Sequence, residues 1–137
     1  NFALPGYEGR HNLSYWHNEP YLALGASASG WLPPWRYDNP ASIPQHQANI
    51  QKQVLMPAKE LRQGKDEEDD YLMMGLRLIK GIDRADFERR FGHDLSEGRQ
   101  AALDKLLSLK LIELDENRLQ LNENALFISN SVIGELL

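Results

Sequence analysis

Cysteine is absent from the 137-residue chain. No disulfide can form on it, and no thiolate is available to hold zinc or an iron–sulfur cluster. The chain does not read as a small secreted scaffold stapled by disulfides. Long apolar runs are missing too: none approaches the ~20 residues that a helix needs to cross a bilayer. No basic stretch followed by an apolar one marks a secretory signal. Cations are in deficit, with 15 Lys and Arg against 20 Asp and Glu and a formal net charge of -5. That balance argues against nonspecific affinity for nucleic acid or an anionic membrane surface. Position 1 is Asn1, not Met, so the sequence reads as a fragment or a processed product. What is present is 42% hydrophobic residues, enough for a real core in one domain or in a small domain carrying an extra segment.

The shortages are uneven along the chain. Residues 66–137 lack both proline and tryptophan and carry 9 Lys and Arg against 16 Asp and Glu. Residues 1–44 hold all three Trp, most of the Pro and few charges. The boundary falls near 56–65, where Pro57 and Gly64 interrupt regular structure.

The stretch around which the chain is organised is Arg10-His11-Asn12-Leu13-Ser14-Tyr15-Trp16. A spacing of four brings residues to one side of a helix and also of a strand. His11 therefore shares a side with Tyr15, and Asn12 with Trp16. An imidazole can ligate iron or carry a proton, and Tyr and Trp offer flat apolar faces with one polar handle each. Together they suit a large, flat, partly polar ligand. The plainer reading makes the aromatics packing residues and lets His11 bond a nearby carbonyl.

Ahead of that stretch, Pro5-Gly6 is a turn signal. Tyr21-Leu22-Ala23-Leu24 reads as a short strand ending at Gly25. Gly25 to Gly30 is a run of six small residues, which let a backbone approach a ligand or another strand. It is neither a dinucleotide nor a P-loop signature. Residues 42–53 read as a helix with Ser42 as cap, Pro44 in the first turn, and Ile50 and Val54 inward. The acidic run Asp66–Asp70 is a candidate metal or basic-partner site, but acids also favour a helix N-terminus. Leu72, Met73, Leu76 and Ile79 follow at helical spacing, with Gly81 as the stop. Asp83 begins a second helix with Ala85, Phe87 and Phe91 apolar and Gly92 ending it. Residues 96–109 form a third, with Leu103, Leu106 and Leu107 on a core. Residues 112–114 and 119–121 alternate around Asp115-Glu116-Asn117, the pattern of a hairpin. A last helix starts at Asn122, with Ala125, Leu126, Ile128, Val132 and Ile133 apolar. His17, His46 and His93 have no metal-ligand spacing and read as surface residues.

Three helices and a hairpin are the order of a winged-helix module, with 96–109 in the place of a DNA-recognition helix. That segment sets Arg99 and Lys105 against Glu97 and Asp104, and the wing Asp115–Arg118 is no richer in cations. A duplex reader needs Lys and Arg facing phosphates. A module that packs on a neighbouring domain explains the sequence better.

Several segments together resemble the C-terminal part of the radical SAM proteins related to oxygen-independent coproporphyrinogen III oxidase, most closely their haem-chaperone branch. They are Asn1-Phe2-Ala3, Pro5-Gly6-Tyr7, Arg10 to Trp16, Tyr21 to Ala28, Arg36-Tyr37 and Met74-Gly75-Leu76-Arg77, followed by the helical tail. The resemblance implies an α+β chain. Residues 1–40 would be the closing edge of a radical SAM partial (β/α) barrel, 41–65 a helix and linker, and 66–137 a mainly helical, winged-helix-like C-terminal domain with a β-hairpin. The parent would hold a [4Fe–4S] cluster on a three-cysteine loop and bind S-adenosylmethionine. Without cysteine this chain cannot hold that cluster or perform radical chemistry alone.

In the haem-chaperone branch the His-Asn-x-x-Tyr-Trp motif is associated with haem binding. The resemblance makes His11 the candidate axial ligand to haem iron, Asn12 its orienter, and Tyr15 and Trp16 neighbours of the macrocycle. Arg10 is our own addition, for a propionate. Gly25, Ser27, Ala28 and Ser29 correspond to the stretch beside S-adenosylmethionine, with Ser29 where a bulkier apolar residue lines the nucleoside. The implied partners are the rest of the barrel, haem or porphyrin, and a haem-accepting protein, in the cytoplasm. Three functions are open: a haem chaperone portion, a portion of a true coproporphyrinogen oxidase, or a docking domain with no ligand of its own. A strand edge without the rest of the barrel would leave residues 1–40 less protected than 66–137, or covered by a second copy.

Overall fold

A computed structural model describes residues 3–4 and 6–137 of the chain. Asn1, Phe2 and Pro5, which carry part of the resemblance and of the Pro5-Gly6 turn signal, lie outside the described residues. The described chain is a mixed α/β structure with six α-helices and two three-stranded antiparallel sheets. It divides into two units, Asn1–Glu67 and Glu68–Leu137.

The first unit begins with α1 (Arg10–Trp16) and contains β1 (Ser29–Leu32), β2 (Trp35–Asp38), α2 (Ile43–Gln51) and β3 (Ala58–Leu61). The strands pair in the order β1-β2-β3, all antiparallel. Gly30 stands opposite Tyr37, and Arg36 opposite Glu60. Among the described residues, Trp31 and Tyr37 are the buried aromatics of this unit. Trp31 stands opposite Arg36 and Tyr37 opposite Gly30, so the two rings cover opposite faces of the small sheet. The expected strand at Tyr21–Leu24 is reduced to one bridge, in which Tyr21 exchanges both backbone bonds with Trp31 at 2.8 and 2.9 Å. Beyond it Leu22 and Leu24 are exposed and Ala23 N–H donates to the Tyr37 hydroxyl at 2.9 Å, so the backbone leaves the ladder. Helix α2 forms as expected, with Ser42 Oγ accepting from Gln45 N–H and Pro44 in the first turn. Ile50 and Val54, expected inward, are exposed; α2 ends at Gln51, and Gln53 adopts φ +57, so Val54 no longer shares a helical face with Ile50.

In the second unit the order is α3 (Lys65–Gly75), β4 (Ile82–Asp83), α4 (Arg84–Phe91), α5 (Gln100–Ser108), β5 (Ile112–Leu114), β6 (Arg118–Leu121), a 3₁₀ segment (Glu123–Ile128) and α6 (Ser129–Gly134). Leu72, Phe87, Leu95, Leu103 and Leu119 are fully buried in one core. Each such side chain contributes about 1.5–3 kcal/mol through apolar burial. Helix α4 is punctuated as its sequence indicates: the Asp83 side chain accepts from Asp86 N–H, and Gly92 closes it at φ +81. The hairpin β5–β6 is present and gains β4 as a third strand, in the order β4-β6-β5.

Other apolar expectations fail at helix ends. α3 stops at Gly75 rather than near Gly81; turns bonded from Leu78 N–H to Gly75 O and from Gly81 N–H to Leu78 O replace it, leaving Ile79 exposed. α5 starts at Gln100 rather than Ser96, because residues 96–99 form a turn in which Gly98 takes φ +76. Ala85 and Leu107 lie on the outer sides of their helices. The last helix opens as a 3₁₀ segment, capped by Asn122. Its tighter winding turns Ala125 inward and leaves Leu126 and Ile128 exposed.

Candidate functional site

Helix α1 turns the spacing of four into a contact. The Tyr15 hydroxyl and His11 Nε2 are 2.9 Å apart, and the two rings meet edge to face with centroids 4.8 Å apart. His11 is exposed and Tyr15 half-buried. Tyr15 is braced on its other side by Tyr21, whose ring stands nearly perpendicular at 4.5 Å. Tyr21 is fixed by its bridge to the fully buried Trp31. A chain of contacts therefore runs from the sheet to the exposed imidazole: Trp31, Tyr21, Tyr15, His11. Arg10 and Asn12 are exposed and Trp16 is half-buried.

The small-residue loop follows a different course. Asn39 Nδ2 donates to Gly25 O at 2.9 Å and to Ala23 O at 3.3 Å, and Ser27 N–H donates to Pro40 O. Gly25 takes φ +93 and Ser27 φ +60, a conformation that glycine adopts freely and serine only occasionally. Ser29 Oγ donates to Asp38 Oδ1 across the β1–β2 pair at 2.5 Å. Among the described residues no hydrogen bond or ring contact joins Gly25–Ser29 to Arg10–Trp16. Nearby, Asn18 is buried at φ +51 and its Oδ1 accepts from Arg36 at 3.3 Å, while the Arg36 guanidinium lies 5.1 Å from the Trp31 ring centroid.

Sequence reasoning missed Tyr21 as a brace and treated it only as strand. The signal was an aromatic six residues after Tyr15, which means nothing until the chain reverses between them. It also misplaced His93. That side chain is about two-thirds buried, not a plain surface residue, and its Nε2 lies 2.9 Å from Glu68 Oε2. Glu68 belongs to the acidic run Asp66–Asp70, and it is buried and paired with Arg99. Among the described residues no group of three or more His, Asp or Glu is arranged to hold a metal ion. No described helix is long and apolar enough to cross a membrane.

Residues 64–128 match the family model of the HemN C-terminal domain. Over 139 aligned residues covering the whole of this chain, it is 30% identical to the heme chaperone HemW of Lactococcus lactis and 29% identical to the heme chaperone HemW of Bacillus subtilis. In both cases the alignment covers 36% of the relative, so the chain spans about a third of the length of the curated relatives it matches. Among solved structures it is similar to coproporphyrinogen III oxidase (HemN) from Escherichia coli, described as a radical SAM enzyme. That likeness has a TM-score of 0.59 at 18% identity, covering 86% of this chain and 28% of that one. At that identity it speaks for the fold alone.

Proposed function

From the match of residues 64–128 to the HemN C-terminal domain and the likeness of the whole chain to HemW, we propose that it is the C-terminal portion of a haem chaperone, taking haem at His11 and passing it to a partner protein. The observation that carries this reading is an exposed imidazole braced through Tyr15 and Tyr21 on a buried Trp31, in a chain 30% identical throughout its length to a protein named as a haem chaperone. Haem is cargo here. Imidazole is a common haem-iron ligand, and a surface position lets the macrocycle arrive and leave. The Tyr15 hydroxyl meets the ring at Nε2 and limits the orientations His11 samples; with the proton on Nε2 donated to that hydroxyl, the Nδ1 lone pair is the one left for iron. Tyr15 and Trp16 supply apolar faces, Asn12 orients, and Arg10 meets a propionate.

Within the parent, residues 1–40 form the closing edge of the barrel and 66–137 a winged-helix-like domain. Gly25, Ser27, Ala28 and Ser29 face the S-adenosylmethionine side, with the Ser29 hydroxyl already engaged by Asp38. The iron–sulfur cluster belongs to the rest of that parent, and the whole works in the cytoplasm.

The test is a haemin titration followed at the Soret band, with His11→Ala and Tyr15→Phe beside the unchanged chain. We expect saturable binding with a shifted Soret band in the unchanged chain. His11→Ala should lose it with its circular dichroism intact, and Tyr15→Phe should bind with an altered band. Equal binding by His11→Ala removes His11 as the ligand. Iron-free coproporphyrin competing as well as haemin would point instead to a coproporphyrinogen oxidase portion, where iron plays no part in recognition.

A further inference from the structure

Both nitrogens of His93 face oxygen acceptors. Nε2 is 2.9 Å from Glu68 Oε2, and Nδ1 is 3.1 Å from the backbone oxygen of Asp94. A neutral imidazole has one N–H and can satisfy only one of them; the imidazolium satisfies both. The second carboxylate oxygen of Glu68 is held by Arg99. Arg99 in turn donates through Nε to Leu136 O at 3.0 Å and through Nη1 to Leu95 O at 3.4 Å. The Glu68 and Arg99 side chains are each only 10% exposed. A buried carboxylate between two donors is costly to leave with one of them missing.

We infer that Glu68, His93 and Arg99 form a proton-operated latch, in which doubly protonated His93 clasps the first turn of α3 to the α4–α5 connection. The latch has two arms. Arg99 holds Glu68 through its guanidinium and stays closed. His93 closes only when it carries both protons, and on losing one it gives up either Glu68 or the Asp94 carbonyl. The charged groups around the imidazole favour the closed form. Glu68 faces it directly, and Glu97 adds a weaker attraction. The Asp94 carboxylate is paired with Arg84 at 2.8 Å, and Asp69 lies 3.9 Å from Arg99. On the remaining side the ring of Phe87 meets His93 edge to face at 5.7 Å. The Asp94 carbonyl, and after it Glu68, hold the His93 pKa above its ordinary 6.5 against the opposing effect of desolvation.

The sign follows from linkage. A histidine whose folded pKa is raised contributes stability that is complete below about 6.5, its unfolded value, and is lost as the pH rises through the folded value. The latch is closed in mild acid and half open in alkali.

The experiment is an NMR titration of the His93 Cε1–H signal in the full chain, with amide exchange of α3 followed over the same pH range and corrected for intrinsic rates. We expect a His93 midpoint above 6.5 and a several-fold acceleration of exchange at the first hydrogen-bonded amides of α3, from Asp69 onward, through that midpoint. His93→Gln should exchange at the faster level throughout and show no step. Glu68→Gln should lower the midpoint. A midpoint at or below 6.5 in the unchanged chain, or α3 exchange without a step, overturns the latch whether or not the variants fold.

Discussion

Gly30 and Tyr37 face each other across the β1–β2 pair so closely that a Cβ on Gly30 would lie 2.3 Å from Tyr37 Cζ. The ring occupies the space a side chain would take, and its hydroxyl reaches on to Ala23 N–H. Gly30→Ala must therefore displace Tyr37, and we expect a loss of about 1–3 kcal/mol in the first unit. Trp16, Trp31 and Trp35 all lie within that unit, so tryptophan fluorescence during urea unfolding reports on it selectively. An unchanged midpoint would show that the ring does not rest there.

Phe87 is the corresponding anchor of the second unit. It is fully buried and touches the rings of Tyr71 and Phe91, with centroids 6.0 and 4.7 Å away. Phe87→Ala should cost about 3–5 kcal/mol. Far-UV circular dichroism should show earlier loss of helix, while the tryptophan signal of the first unit keeps its midpoint if the units unfold independently.

On the acid side the second unit is expected to weaken through Asp94. The Arg84 guanidinium, and after it the Ser96 N–H, hold this carboxyl below its ordinary 3.8. A depressed carboxyl contributes stability that is full above the unfolded value and lost as the pH falls through the folded one. The loss therefore belongs below about pH 3.8. Asp94→Asn should flatten the unfolding midpoint against pH in that range and leave the slope above pH 6.5, where His93 acts, unaltered. A slope below pH 3.8 identical in both proteins would rule Asp94 out as its source.

What the sequence revealed, and what it hid, follows the range of the interactions. Helix α4 was legible because its start and stop are local: Asp83 bonds an amide three residues on, and Gly92 takes the left-handed turn. The hairpin β5–β6 was legible for the same reason, since its alternation and its turn lie within ten residues. The contact of His11 with Tyr15 needed only the helical repeat. The sheet of β1 to β3 was not legible. Its strands are four residues each, and β3 is exposed along its whole length, so no apolar alternation marks it. Glu68 looked like one acid among five at a helix start. Its burial depends on His93 and Arg99, 25 and 31 residues away, and no local pattern could single it out.

Strand β4 is only two residues long, yet it decides the order in which the second unit can assemble. Ile82 pairs with Leu119 and Asp83 with Arg118, so the strand closes a stretch of chain that contains both α4 and α5. The hairpin can zip from its own turn within microseconds, whereas β4 must wait for the closure of that long loop. Gly81 sets the terms of closure. At φ +62 a Cβ there would meet Leu119 O at 2.1 Å, so the hydrogen of this glycine alone lets the backbone seat itself beside β6. A larger residue at 81 would leave hairpin and helices each able to form, with the seam between them open.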